Sequence, residues 1–486
     1  MVAACRVGLP RQFSMRRGRS LAIIRKIFTP LLGFLWCVVF FSAVLPTSVL
    51  AQSSEEKGSK DQQLALPSAA VGEISALTVG SSQVAQFRRL LLPELFPLVR
   101  AGVIELEALA RTRYDWKLRS GAEDAAAAAA LQSRELAAEG EIPPAYRQEQ
   151  PPLFDGKDKS GALNPTEILW NAAAARWSFP AATVSQTVSW YQQGKFHREL
   201  KLQSLRVYPA KIPGITAGIQ LFRERVQLQS PEVLRGLAFL TYRFLGVDED
   251  IIWSYAPAIA KARQLAGPSY ADSILGTPLT LSDLDVWNGK HEVVEPSLQL
   301  TQEALVPVAG VDLLTATPGA PGCVDQQGMN TRAGSDLVSR WATEGRSAWS
   351  IFSSLSYFVP RQVVRIELES RDPFSEYGRQ VLTIDQELQV PLMKLVYNRS
   401  GHPWKFVMGS LALVQSSADP RRIVRYPIIL VHDYLKDETL LLSQSSGTFC
   451  DGFSAAIPET ALDLRGFTGQ AAAPTAEGKA NSAPRG

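Results

Sequence analysis

The spacing of apolar positions changes rhythm along this chain of 486 residues. Over residues 81–118 it is helical: Phe87, Leu90, Leu91, Leu95 and Leu98 fall at three- and four-residue steps. Pro93 and Pro97 should cut this run into short pieces, because proline lacks the backbone N–H and crowds the preceding turn. A second piece holds Val103, Leu106, Leu109 and Ala110. Residues 125–138 are Ala-rich and predict an exposed helix with little apolar surface to pack. Pro143, Pro144, Pro151 and Pro152 mark an irregular connector. Asn164-Pro165-Thr166-Glu167 predicts a helix start, with Asn164 as N-cap, Pro165 in the first turn and Glu167 at the third position.

After about residue 183 the period falls to two, the mark of strands. Val226 and Leu228 share one face of 223–229. Val364, Ile366 and Leu368 share another, with Arg365, Glu367 and Glu369 opposite. Residues 199–208 alternate as well, but the apolar parity slips between Leu202 and Leu205, which predicts a bulge near Gln203 and Ser204. Further strands are predicted at 237–245, 250–255, 380–385, 390–397, 404–414 and 428–434. Turn residues separate them, among them Gly194-Lys195 and Asn398-Arg399-Ser400-Gly401. Between 296 and 350 the pattern weakens. Gly310, Pro318, Gly319, Pro321 and Gly322 suggest a loop pinned by Cys323, and 341–352 a short helix.

Helices followed by closely spaced strands give an α+β class. About ten antiparallel strands in a meander should curl into an incomplete β-barrel rather than stay flat, with helices covering or plugging the concave face. The expected divisions are a mainly helical N-terminal segment at 76–180 and an antiparallel half-barrel domain at 181–465. A flexible leader at 52–75, rich in Ser, Glu, Lys and Gln, precedes them, and a disordered tail at 466–486 follows.

The first 51 residues read as a secretory signal peptide. Arg16, Arg17, Arg19, Arg25 and Lys26 form a basic cluster, and 31–45 is apolar. Pro46 ends the run, and cleavage is expected between Ala51 and Gln52. At about fifteen residues the run falls short of the roughly 20 that span a bilayer, which favours a signal peptide over an anchor; no later stretch approaches that length, so the mature chain should carry no transmembrane segment. Removing a segment with six Arg, one Lys and no acid turns the net charge from +3 to −4. The mature chain therefore lacks the basic footprint of a nucleic-acid binder. Cys5 and Cys37 leave with the leader. Cys323 and Cys450 remain, an even pair in an oxidising compartment, and predict a disulfide. The expected location is the periplasm, peripheral to the outer membrane.

Catalytic signatures are scarce. His197, His291, His402 and His432 are the only histidines, and none has metal-ligand spacing. His432 and Asp433 are adjacent, but in a strand they point to opposite faces. Asp283 and Asp285 lie two apart, which suits a cation or acid–base work and equally a solvated turn after Ser282, the simpler reading. No catalytic residue, metal or cofactor is assigned. Aromatics are more suggestive: Trp253 and Tyr255 share a strand face, and Phe239 and Trp287 lie in neighbouring segments. These four are the candidate ligand-binding residues if the curled sheet encloses an apolar cavity, although they also suit plain core packing.

Residues 231–291 carry a more specific pattern. Arg235-Gly236-Leu237-Ala238-Phe239-Leu240-Thr241-Tyr242-Arg243 is followed by Trp253-Ser254-Tyr255-Ala256-Pro257-Ala258. Arg263-Gln264-Leu265, then Asp272-Ser273 with Gly276, and the stretch 280–283 complete it. Glu167-Ile168-Leu169-Trp170-Asn171 and Tyr397-Asn398-Arg399-Ser400-Gly401 with Trp404 are outlying pieces. Together these resemble a family of exported bacterial proteins of unknown function, grouped with the outer-membrane lipoprotein-sorting proteins of LolA/LolB-like fold. Ala256 stands where that family usually has Leu, and Lys261 and Gln264 where Arg is commoner. The resemblance implies an antiparallel half-barrel closed by helices. In the sorting proteins, the concave face holds acyl chains.

The resulting expectation is a non-catalytic periplasmic carrier for a hydrophobic ligand, an acyl chain or envelope lipid, in lipid or lipoprotein trafficking. The alternative is a structural or accessory component of an envelope export assembly, partnered by protein. A hydrolase using Asp283, Asp285 or His432 is the least supported reading.

Overall fold

Two-residue alternation builds a sheet of seventeen strands among the residues described by this computed structural model. These are residues 66–67, 75–118, 130–137, 141–246, 250–265, 272–327, 335–373, 375–417, 419–455, 457–464 and 466–468. The expected signal peptide with its Ala51/Gln52 cut lies outside them. So do nearly all of the 52–75 leader, most of the 466–486 tail, and the Ala-rich run apart from 130–137, where 130–132 are helical.

The sheet grows outward from one strand, β3. In chain order the short β1 (Leu77–Val79) and β2 (Leu106–Ala108) precede β3 (Ala181–Gln192), β4 (Lys195–Val207) and β5 (Gln220–Ser230). Next come β6 (Ala238–Phe244), β7 (Ile251–Ala256), β8 (Lys261–Gln264) and β9 (Val294–Val308). β10 (Leu314–Pro318), β11 (Cys323–Gln327), β12 (Tyr357–Ser370) and β13 (Tyr377–Asp385) follow. β14 (Pro391–Asn398), β15 (Pro403–Ser416), β16 (Asp419–Asp433) and β17 (Glu438–Cys450) close the series. From β3 an antiparallel meander runs β4 to β8 on one side. On the other side it runs through β17, β16, β15, β14, β13 and β12 to β9. No ladder joins β8 to β9 among the described residues, so the curled sheet is an incomplete barrel and not a closed one.

One fork interrupts the series. β16 pairs with β17 only over 428–433, and its first half, 419–425, is held by β15 alone. The vacated edge of β17 takes β11 instead, with Cys323 directly opposite Cys450. Those two cysteines form the disulfide expected from the sequence, closing 127 residues.

The two faces are covered differently. Residues directly opposite in a ladder share a face, so Ile429, Val431, Val407, Lys394, Leu382 and Ile366 all point to the concave side. There α2 (Pro165–Ala174) packs Ile168, Leu169 and Ala172 against Ile366 and Leu382. As predicted, Asn164 caps that helix, accepting from the backbone N–H groups of Thr166 and Glu167. The short α1 (Leu95–Arg100) belongs to a segment that reaches the convex side, where Glu94 pairs with Arg365 at 2.6 Å. α3 (Ser335–Thr343) and α4 (Ala348–Ser354) also cover the convex side, where Trp349 stacks on Phe406.

Several elements differ from expectation. Residues 103–110, expected helical, contain β2, and 81–90 form turns rather than a helix. The stretch expected to be a loop after 296 is the long β9 with the β10–β11 hairpin. β9 escapes the alternation rule because its first half is a mostly exposed edge and its last five residues are buried on both faces. The bulge expected near Gln203 and Ser204 lies at Lys201/Leu202.

Candidate functional site

Alternate residues of the first meander form one apolar wall. Val184 and Val188 of β3, Leu200 and Leu202 of β4, and Val226 and Leu228 of β5 face inward, joined by Phe239 and Ile252. Leu442 of β17 and Ile429 of β16 extend the wall. Opposite it lies the segment 272–285, contributing Ile274, Leu279 and Leu284. Between wall and segment is a cavity of about 450 Å³, within the range of small-ligand sites.

The segment is clamped on to the sheet by charge. Residues 281–283 form one 3₁₀ turn, and the Asp283 carboxylate accepts from both the backbone N–H and the hydroxyl of Thr280. Lys394 donates to Asp283 at 2.6 Å and to the Ser282 carbonyl at 2.7 Å. Lys405 lies 3.5 Å from the same carboxylate and donates to the Pro278 carbonyl at 2.9 Å. All three charged groups are buried. Burial alone would raise the Asp283 pKa, but the two ammonium groups and the hydrogen bonds outweigh it and hold it below its ordinary value. Burial, with the neighbouring Lys405 charge, pushes Lys394 down despite Asp283.

Immediately after the clamp the backbone turns through two residues of positive φ, Asp285 at 50° and Val286 at 71°. A β-branched residue is strained there. Gly409 of β15 makes the room: a Cβ on it would lie 2.6 Å from both Val286 Cγ2 and the Tyr426 ring. The turn sends Asp285 into the cavity, where Arg176 donates to it at 2.7 Å. The sequence reading of a solvated turn after Ser282 is thereby corrected. Both aspartates are clamped inward, by two lysines and by arginine, and they do not act as one pair. The segment continues to His291, whose ring stacks on Trp170 of α2 at 3.8 Å and donates through Nε2 to the Leu169 carbonyl.

One end of the cavity is polar. Arg206 donates to Glu224 through Nε and Nη2, both at 3.0 Å. Burial raises Asp285, but Arg176 and Arg206 outweigh it and hold the carboxyl below its usual value. Arg425, on the forked half of β16, completes this end. Burial brings its guanidinium down to about 10, against the pull of Asp285.

Of the four aromatic candidates, the structure brings only Phe239 to the cavity. It pairs across the sheet with Ser254, so Trp253 and Tyr255 point to the other face. There Tyr255 packs edge-on against Phe467. Trp287 is fully buried against α2 and His291. His432 contacts Thr439 and Trp349, with Asp433 accepting from Trp404 instead. Arg176, Arg206, Glu224 and Arg425 were missed by sequence reasoning. The available signal was parity: Arg206 shares the β4 face with Leu200 and Leu202, as Glu224 shares that of Val226 and Leu228 on β5.

The family described as "Protein of unknown function (DUF1329)" matches residues 124–448, more than half of the chain. The chain belongs to the DUF1329 family. That span of the DUF1329 protein includes the cavity wall, the clamped segment and α2. Among solved structures it is similar to a DUF1329 family protein from Desulfovibrio piger, with 12% identity and a TM-score of 0.40, over 60% of this chain and 92% of that one. It is also similar to a Vibrio parahaemolyticus domain whose name assigns it to outer membrane lipoprotein sorting. Identity there is 13% and the TM-score 0.42, over 62% of this chain and 97% of that one. A LolA superfamily protein from Nitrosomonas europaea gives 15% and 0.36, over 63% and 99%. Comparison with curated proteins finds no match. No helix among the described residues is long and apolar enough to cross a membrane.

Proposed function

We propose that this DUF1329 protein is a non-catalytic periplasmic carrier that binds an acyl chain or similar envelope lipid, in outer-membrane lipid or lipoprotein trafficking. The cavity carries this reading: about 450 Å³ bounded by aliphatic side chains from the sheet and from one clamped segment. Desolvating a ligand there gains about 25 cal/mol per Å² of apolar area. The basic and apolar start of the chain and the disulfide support an oxidising, exported setting. Loading and release would proceed by movement of 272–285, because the opposite wall is held in a continuous hydrogen-bonded ladder.

The test is native mass spectrometry of protein purified without detergent from a bacterial periplasm. Lipid-sized adducts that vanish on delipidation and return with added lipid support the carrier. Val226→Trp, which places an indole in the cavity, should cut uptake at least tenfold while leaving the melting temperature nearly unchanged. A bare mass with no uptake of fatty acid or phospholipid would overturn the reading and favour an accessory role in an envelope export assembly.

A further inference from the structure

The polar end of the cavity is not electrically balanced. Arg176, Arg206 and Arg425 line it, against the carboxylates of Glu224 and Asp285, while Asp272 lies exposed on the rim. Arg206 is held by Glu224 and Arg176 by Asp285. Arg425 is left over. It is 4% exposed, and its Nε and Nη1 find no hydrogen-bond partner among the described residues. The Gln444 side-chain oxygen and the Tyr208 hydroxyl, which also line the cavity, are buried and unpartnered in the same way.

An unpaired guanidinium inside a protein is costly, since it has given up water for nothing in return. The sequence nevertheless reserves space for it. Gly447 lies on the β17 face that pairs with Val184 of the wall, and a Cβ there would come within 2.5 Å of Arg425 Nη1. The guanidinium lies 4.9 Å from the Phe449 ring, which supports it without using its N–H groups. A planar fork of free N–H donors suits an oxyanion, which two parallel hydrogen bonds can hold.

We propose that the cavity takes an amphiphile with one anionic oxyacid head, and that Arg425 binds that head while the aliphatic wall takes its acyl chain. This rests on the carrier reading above and narrows its ligand class. Carboxylate and phosphate share the required chemistry. Both place charged oxygens at the fork and both can accept from the Tyr208 hydroxyl, whereas only a singly protonated phosphate could also donate to the Gln444 oxygen.

The experiment titrates delipidated full-length mature protein by calorimetry with myristate, methyl myristate and 1-myristoyl lysophosphatidate. At least one acid should bind tenfold or more tightly than the ester, and the tighter acid identifies carboxylate or phosphate as the head. Arg425→Met should abolish that preference by lowering affinity for the acid tenfold or more. The acid-to-ester comparison in the unaltered protein decides the matter even if the variant fails to fold. Equal binding of all three overturns the anion site and leaves the carrier reading intact, as does a preference that survives in Arg425→Met. Binding of none overturns both.

Discussion

Asp283→Asn tests the clamp on the cavity-closing segment directly. The wild-type carboxylate serves two buried ammonium groups, at 2.6 Å from Lys394 and 3.5 Å from Lys405, and also caps Thr280. Asparagine keeps the volume but removes the charge. The two lysines would then share a dry site with neutral neighbours: the asparagine oxygen, the Ser282 and Pro278 carbonyls, the Ser282 hydroxyl, Tyr377 and the Trp404 ring. Removing one partner of a buried pair typically costs about 3–5 kcal/mol, because the remaining charge stays uncompensated. Urea unfolding followed by tryptophan fluorescence should show a lower midpoint at unchanged slope. Adding Lys394→Met to Asp283→Asn should recover part of the loss, and the double-mutant cycle gives the coupling. The pH dependence has a definite sign. A carboxyl held below its ordinary value contributes stability above about pH 4 and loses it as pH falls through the depressed value. The gap between wild type and Asp283→Asn should therefore narrow in acid. A destabilisation below about 1 kcal/mol at neutral pH, no larger than an ordinary point mutation, would refute the clamp.

Two other measurements probe the supports around the cavity. His291 is buried between Trp170 and Trp287, and burial lowers its pKa from 6.5 to about 3. Its neutral-ring contribution to stability should be complete above about pH 6.5 and fade as pH falls toward 3, and NMR should show a ring still neutral at pH 5. Replacing both Cys323 and Cys450 by Ser should remove up to roughly 4–5 kcal/mol, from the chain-entropy effect of opening so long a loop. Calorimetric melting under reducing and oxidising conditions checks that figure, and identical melting temperatures would contradict it.

The fold was most legible where a strand carries apolar residues on one face and charged residues on the other. The Val364, Ile366, Leu368 alternation survives intact in β12, with Arg365 reaching Glu94 on the far side. Asn164 and Pro165 start α2 as local chemistry requires. β9 was hidden because neither of its halves is amphipathic at period two. The cavity was half legible. Val226 and Leu228 were placed on one face, but nothing local distinguishes a face turned to the cavity from one turned to a packed core. Trp253 and Tyr255 show this: they do share a face, as read, but that face packs under C-terminal residues such as the buried Phe467. The polar end was readable only in part: parity puts Arg206 and Glu224 on the apolar faces of β4 and β5, but Arg176, Arg206 and Arg425 meet only after the sheet has curled.

The central ladder sets an order of events during biogenesis. β3 lies between β4, its immediate successor, and β17, and the hydrogen bond from Gln192 to Glu438 spans 246 residues. A chain emerging from its N-terminus can form the β3–β8 meander early, because those contacts are local. The other edge of β3 then stays open until nearly the whole sequence has arrived. An exposed edge of that length is a template for mispairing with other chains. In this order β17 comes last, and its arrival at once seals β3, seats Cys450 opposite Cys323 and completes the wall of the cavity.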